Sequence, residues 1–252
     1  MRLDDIKKLH QKKHRQALGS FLVEGEHLIL ELAKASTSNA KLMKASVYIS
    51  ESYSLIASGL DIPFQCKVIS DTQMQRISDT KTPQGIIAVV PLDAITCNED
   101  KHNKAEKIQT IYLYEAQDPG NLGTILRTLA WFGKFRCVLS PNSVDPFNPK
   151  VVRASMGAIF HVPIEIDVTL EDLNQEIRLV KSFACLDING KPLSDPAFKE
   201  HNCFIFGNEA RGLPHEILKK MNIETFSIQG SGVLESLNLA ASVNMSAYEL
   251  RR

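Results

Sequence analysis

The chain has 252 residues, 44% hydrophobic and 23% charged, the make-up of a folded globular protein and not of a disordered or fibrous one. Lysine and arginine total 29 against 29 aspartates and glutamates, so the whole-chain charge advertises no polyanionic partner. The longest apolar stretches, such as residues 85–91, fall far short of the roughly 18 to 20 residues a membrane helix needs, and nothing is expected to span a bilayer.

The chain opens on a basic segment: within residues 1–15, Arg2, Lys7, Lys8, Lys12, Lys13 and Arg15 face only Asp4 and Asp5. These charges occupy the place of a signal peptide's apolar core, so a cytoplasmic location is expected. From Phe21, FLVEGEHLILEL reads as a short strand passing into a helix, with Leu28, Leu30 and Leu32 turned inward. Strand-like runs recur at 45–49 and 85–90. Between Leu92 and Lys107 apolar periodicity gives way to polar and charged residues, the pattern of a solvated connection. The reading is therefore a first domain over 1–91, a linker over 92–107 and a second domain over 108–252.

Beyond the linker, strand-like segments at 111–116, 136–140, 182–188, 202–207 and 225–229 alternate with helical ones at 121–132, 148–159, 170–181, 213–221 and 236–251. Asn121 and Ser236 are placed to cap the first and last of these helices. Such alternation predicts a mainly parallel sheet, and no fixed-period repeat points to a solenoid. The five cysteines, Cys66, Cys97, Cys137, Cys185 and Cys203, are odd in number and widely spaced, with no CxxC pair. They read as reduced, mostly buried residues, with neither a disulfide framework nor a zinc site.

Three strand-to-helix junctions carry polar residues of chemical interest. The first, Glu115 to Thr128, joins a strand to a helix through a turn with Pro119, Gly120 and Gly123, at the kind of crossover where open α/β sheets bind ligands. Its spacing fits neither GxGxxG nor GxxxxGK[ST]. Read plainly it is a tight turn capped by Asn121, with Arg127 about one and a half helical turns further on, able to approach the same crevice. The second, Phe204 to Pro214, ends an apolar strand in a glycine turn with Asn208, Glu209 and Arg211, where Gly207 lets backbone approach a ligand. Its plain reading is a solvated Glu209–Arg211 pair. The third, Ser227 to Met245, joins the last strand to the last helix, with Ser236 as a cap, Asn238 in the first turn and the small residues Ala240, Ala241 and Ser242 behind it. Three such junctions together suggest one site.

In that order, Asn121-Leu-Gly-Thr-Ile-Leu-Arg127, Gly207-Asn-Glu-Ala-Arg-Gly212 and Ser236-Leu-Asn238 resemble the three motifs of the SpoU, or TrmH-like, RNA 2′-O-ribose methyltransferases of the SPOUT class. Asp145 to Phe160 matches a further family stretch that leads from a loop into a helix beside the site, with Arg153 and Ser155 as RNA or architectural contacts. The front segment, with Lys12 to Arg15, Glu24-Gly25 and Asp79 to Gly85, is similar to the family's L30e-like amino-terminal RNA-binding domain. The resemblance implies an α/β protein with a parallel-sheet methyltransferase domain tied in a trefoil knot, dimeric through the knot region.

It also implies S-adenosylmethionine as cofactor, held largely through backbone at Gly207, Ile228 and Leu237, with no metal. Asn121, Arg127, Glu209, Ser236 and Asn238 are the positions implied for catalysis or its support, with Arg127 central. Lys12, Lys13, His14, Arg15 and Arg153 are the implied RNA contacts, since basic side chains supply phosphate affinity. Gln229 departs from the proline usual before the third loop, although a backbone contact at Ile228 does not depend on the next side chain. Ribosomal RNA is favoured as substrate, with transfer RNA as the near alternative. A noncatalytic RNA-binding factor retaining the scaffold and a small-molecule methyltransferase are the competing readings.

Overall fold

The computed structural model describes residues 1–96, 108–177, 183–214, 216, 221, 223–234 and 236–252. In chain order the elements are α1 (Leu3–Lys8), α2 (Lys12–Leu18), β1 (Ser20–Glu24), α3 (Glu26–Ser36), β2 (Ser46–Ser50), α4 (Ser54–Ala57), β3 (Gln65–Ile69), α5 (Asp71–Ile77) and β4 (Ile86–Pro91). There follow β5 (Gln109–Leu113), α6 (Pro119–Phe132), β6 (Phe135–Leu139), α7 (Pro149–Ser155), β7 (Ile164–Glu165), α8 (Leu170–Ile177), β8 (Phe183–Pro192), β9 (Cys203–Phe206), β10 (Glu224–Ser227) and α9 (Leu239–Arg251). Among the described residues no helix is long and apolar enough to cross a membrane.

The described residues fall into two compact units. The first takes residues up to 96 together with Asp145–His161, and the second takes 108–144 with Val162 onward. In the first, a four-stranded sheet runs β1-β4-β2-β3, with β4 antiparallel to both neighbours and β2 parallel to β3. Ile6, Leu9, Tyr48, Met74, Ile77 and Ile87 form its core, which is why the amphipathic α1 and α5 lie against the sheet. A capping box fixes the start of α5, Ser70 Oγ accepting from the Gln73 N–H while Gln73 Oε1 accepts from the Ser70 N–H. The sequence pattern does not signal β3: it is an edge strand whose residues are mostly exposed, so Gln65-Cys-Lys-Val-Ile69 carries no buried stripe.

One stretch departs from the expected division. Residues 145–161, read as part of the second domain, pack within the first unit. The Phe147 ring lies 4.9 Å from that of Phe21, Arg153 pairs with Asp79 at 3.0 Å, and Gly157, at φ +91°, leaves no room for a Cβ beside Glu31. Arg15 anchors the stretch and is a correction, for it is 3% exposed and no RNA contact. Its Nε and Nη2 donate to Asp145 Oδ2 at 3.0 and 2.5 Å, and its Nη1 donates to the Leu9 carbonyl at 2.8 Å. Of the expected linker, Leu92–Ala94 form a single 3-10 turn, and 97–107 lie outside the described residues.

The second unit is built on a six-stranded sheet, β10-β8-β9-β5-β6-β7, in which every neighbouring pair is parallel. Its central strands are buried along their whole length, as parallel strands covered on both faces must be. The chain leaves β5, β9 and β10 at the same, carboxyl edge of this sheet. The expected helices need adjustment. Helix α6 is capped by Asp118, with Pro119 at its first position, and α9 by Asn238, in place of Asn121 and Ser236. The helix expected over 148–159 stops at Ser155, where Met156 turns left-handed at φ +50°. Most of the helices expected beyond 177 and over 213–221 lies outside the described residues.

Cys137, Cys185 and Cys203 are buried and Cys66 is exposed, while Cys97 lies outside the described residues. Burial pushes the thiols of Cys137 and Cys185 up to about 12, from an ordinary value of 9.0. The unfolded chain ionises first, so this contribution to stability is complete below pH 9 and is lost as pH rises toward 12. Urea unfolding at increasing alkalinity is expected to show that decline, and Cys137→Ala with Cys185→Ala is expected to flatten it. At neutral pH, Arg15→Met leaves Asp145 largely buried and unpaired, and is expected to cost about 3 to 5 kcal/mol in the same measurement.

Candidate functional site

Each of the three loops at the carboxyl edge is shaped by its own backbone needs. After β5, Glu115 adopts φ +48° and Asp118 Oδ1 accepts the Asn121 N–H at 2.7 Å, starting α6 without an orphan donor at Pro119. After β9, the main chains of Asn208 and Gly212 pair with each other at 3.1 and 2.9 Å. Gly207 is obligatory there, because a Cβ would sit 2.6 Å from the carbonyl carbon of Gly212. After β10, the loop closes at Asn238, whose Oδ1 accepts the Ala241 N–H at 3.2 Å as the cap of α9.

Side-chain amides bring these loops together. The cap commits Asn238 Oδ1 as acceptor, which leaves its Nδ2 to donate to Asn121 Oδ1 at 2.9 Å. Asn121 Nδ2 is then free to donate, and meets Glu209 Oε1 at 3.2 Å. Glu209 Oε2 accepts from the Gln117 N–H at 3.4 Å. One directed chain therefore runs from the third loop to the first and on to the second.

Around it lies an open cleft of about 480 Å³, lined by Gln117, Asp118, Asn121, Asn208, Glu209, Ala210 and Ser236–Leu239. Its size suits a drug-sized ligand. Among the described residues the lining carries two carboxylates, Asp118 and Glu209, and no basic side chain. Such a site favours a cationic ligand and disfavours a bare phosphate.

The cleft gathers Asn121, Glu209, Ser236, Leu237 and Asn238 from the expected set. Gly207 opens the loop that carries Asn208 and Glu209, and half-buried Ile228 follows β10 without lining the cleft. Arg127 is not brought in. Six residues at about 100° each turn it some 120° away from Asn121, onto the face of α6 where Thr124 and Trp131 are also exposed. Of the lining residues, Gln117, Asp118, Ala210 and Leu239 were not singled out as functional from the sequence, and Asn208 was read only as part of the polar turn after the strand. The Asp118-Pro119 pair, a cap followed by a favoured first helical residue, was the readable signal for one of them.

In the first unit, Lys12 and Lys13 are exposed at the start of α2 and His14 is half-buried. Arg153, on α7, is partly exposed while it holds Asp79. Among the described residues no group of three or more His, Cys, Asp or Glu is arranged to hold a metal ion.

Comparison with known proteins gives this geometry a context. The model of the SpoU rRNA methylase family matches residues 109–248, and that of the MRM3-like substrate binding domain matches residues 2–88. The chain is 32% identical to the 23S rRNA (guanosine(2553)-2′-O)-methyltransferase RlmP of Bacillus subtilis, over 99% of this chain and 96% of that one. Among solved structures, an AdoMet-bound rRNA methyltransferase from Sinorhizobium meliloti superposes with a TM-score of 0.78 at 25% identity, covering 99% of this chain and 93% of its own. The SpoU methyltransferase AviRb of Streptomyces viridochromogenes shares the fold, with a TM-score of 0.79 at 19% identity, over 99% and 96% of the two chains.

The double role of Asn238 separates in two variants. Asn238→Asp retains the cap of α9 and is expected to keep thermal stability within a few tenths of a kcal/mol of the unaltered chain. Asn238→Ala removes the cap and is expected to lose about 1 kcal/mol, read by thermal unfolding.

Proposed function

The chain belongs to the SpoU rRNA methylase family, and on that premise we propose that it methylates a ribose 2′-hydroxyl of ribosomal RNA using S-adenosylmethionine. The observation that carries this reading is the convergence of three separate loops on one cleft through Asn238, Asn121 and Glu209. Volume and charge fit the cofactor: the cleft is about 480 Å³, and its two carboxylates, with no cation among the described lining residues, suit a sulfonium. S-adenosylmethionine supplies, when bound, a methyl group on positively charged sulfur. Gly207, Ile228 and Leu237 are the positions proposed to hold it through backbone groups, of which Leu237 lines the cleft; such groups read an adenine edge and an amino-acid head without charged side chains.

The work left to the protein is alignment, for in-line attack by a hydroxyl needs neither a metal nor a covalent nucleophile. Glu209 and Asn121 orient each other, and the exposed Ser236 and Asn238 offer hydrogen bonds to the ribose. Arg127, with a guanidinium that stays protonated at neutral pH, positions the nucleotide's phosphate and hydroxyl. Since Arg127 turns away from the cleft of its own chain, we assign it to the cleft of a second copy. The exposed face of α6, with Arg127 and with Trp131 at 85% exposure, supports a homodimer, as do the exposed Met245 and Tyr248 on α9.

The first unit serves as the RNA-binding module, L30e-like in our reading, with Lys12, Lys13, His14 and Arg153 toward the phosphates. A trefoil knot among the loops after β9 and β10 completes the proposed architecture. Ribosomal RNA is preferred to transfer RNA because likeness to the B. subtilis 23S enzyme extends over both units. Cytoplasmic action is part of the same reading.

The test exposes ribose-unmethylated ribosomal and transfer RNA to labelled cofactor and maps the label. Label is expected at a 2′ oxygen in the ribosomal pool; label confined to transfer RNA would overturn the substrate assignment, and none in either pool would overturn the enzyme. Arg127→Ala is expected to lower kcat by about a hundredfold or more while sparing cofactor affinity. Mixing Arg127→Ala with Asn121→Ala protein is expected to restore activity, because a mixed dimer regains one complete site. No restoration would place Arg127 in its own chain's cleft.

A further inference from the structure

We propose that Asn208 is a positioning residue for methyl transfer: its side chain ties the loop after β9 to the turn after β5 and so sets Glu209 against Asn121. The inference rests on the methyl-transfer reading of the cleft. Asn208 is 7% exposed, and its side-chain hydrogen bonds divide in two directions. Its Oδ1 accepts the N–H groups of Ala210 and Arg211, both at 3.0 Å, and these shape the loop internally. Its Nδ2 donates to the carbonyl of Glu115 at 2.7 Å, across to the other loop.

The side-chain contacts of Glu209 alone hold it only loosely. It is exposed, and its contacts to Asn121 and Gln117 are long, at 3.2 and 3.4 Å. Its position must come from its backbone, which begins at the neighbouring Asn208. A second link joins the same loops, Arg211 Nη2 to Glu115 Oε2 at 2.6 Å. That arginine side chain is 72% exposed, and surface pairs contribute about 0 to 1 kcal/mol. The buried amide is therefore the tie that matters. It also holds the carbonyl of Glu115, a non-glycine residue at φ +48° that needs such restraint.

Asn208→Asp isolates the cross-loop bond. Aspartate can still accept from residues 210 and 211, but it has no donor for the Glu115 carbonyl and sets a negative charge against it. With the full chain, labelled cofactor and RNA, kcat is expected to fall at least tenfold while the dissociation constant for S-adenosylmethionine moves less than threefold. In a Glu209→Ala background, Asn208→Asp is expected to add less than threefold, since the effect passes through Glu209.

A kcat within twofold of the unaltered chain, or a full multiplicative loss in the Glu209→Ala background, would each overturn the assignment. If Asn208→Asp does not fold, Asn208→Ser carries the same kcat and Glu209 comparisons, for its hydroxyl can accept within the loop but is too short to reach Glu115. Absence of transfer by the unaltered chain overturns the methyl-transfer reading and this inference together. Transfer by the unaltered chain with an unaffected variant overturns this inference alone.

Discussion

The directed hydrogen-bond chain from Asn238 through Asn121 to Glu209 is the constraint on which the site depends, because it is where loops far apart in sequence agree on one position. The parallel sheet makes the agreement possible: β5, β9 and β10 all run the same way, so their exits share an edge. Two amides and a carboxylate are suited to this task. Each amide carries a donor and an acceptor, so it passes direction along, and the carboxylate ends the chain as acceptor only. The direction is set at one end by the capping of α9, which makes helix stability and site geometry parts of one arrangement.

Charge is distributed to match. The cleft lining is acidic, whereas the exposed lysines of α2 lie in the other unit and Arg127 lies on a separate face of α6. The acidic lining suits a cationic cofactor, and the phosphates of the substrate are left to basic side chains that the lining does not include. This division explains how a chain with balanced charge can serve RNA: the average cancels, but the local fields do not. The buried pair of Arg15 and Asp145 belongs to neither field and serves the packing of residues 145–161.

Much of the second unit was legible because buried parallel strands leave continuous apolar runs, such as Ile111 to Leu113 and Phe204 to Phe206. The three polar junctions were equally legible, as turns between those runs and the following helices. What escaped has physical causes. Edge strand β3 has no buried stripe, and Arg15 looks like its basic neighbours until a partner 130 positions away is known. The caps were misplaced because several cap-forming residues stand close together, and Pro119 and the Ala241 N–H select Asp118 and Asn238 among them. Arg127 was expected near Asn121 from distance along the helix, but angle around the helix decides which surface a side chain meets.

The two kinds of restraint at the cleft differ in what they demand of sequence. Gly207 is fixed by a hard contact: its Cα faces the main chain of Gly212 with no space for a Cβ. The amide contacts are softer, since they require donors and acceptors in order but tolerate long distances. A backbone contact, as proposed for Ile228, does not depend on the neighbouring side chain. A site assembled in this way preorganises its ligand groups through glycine clearance and amide order, and leaves chemical reactivity to the cofactor and the substrate hydroxyl.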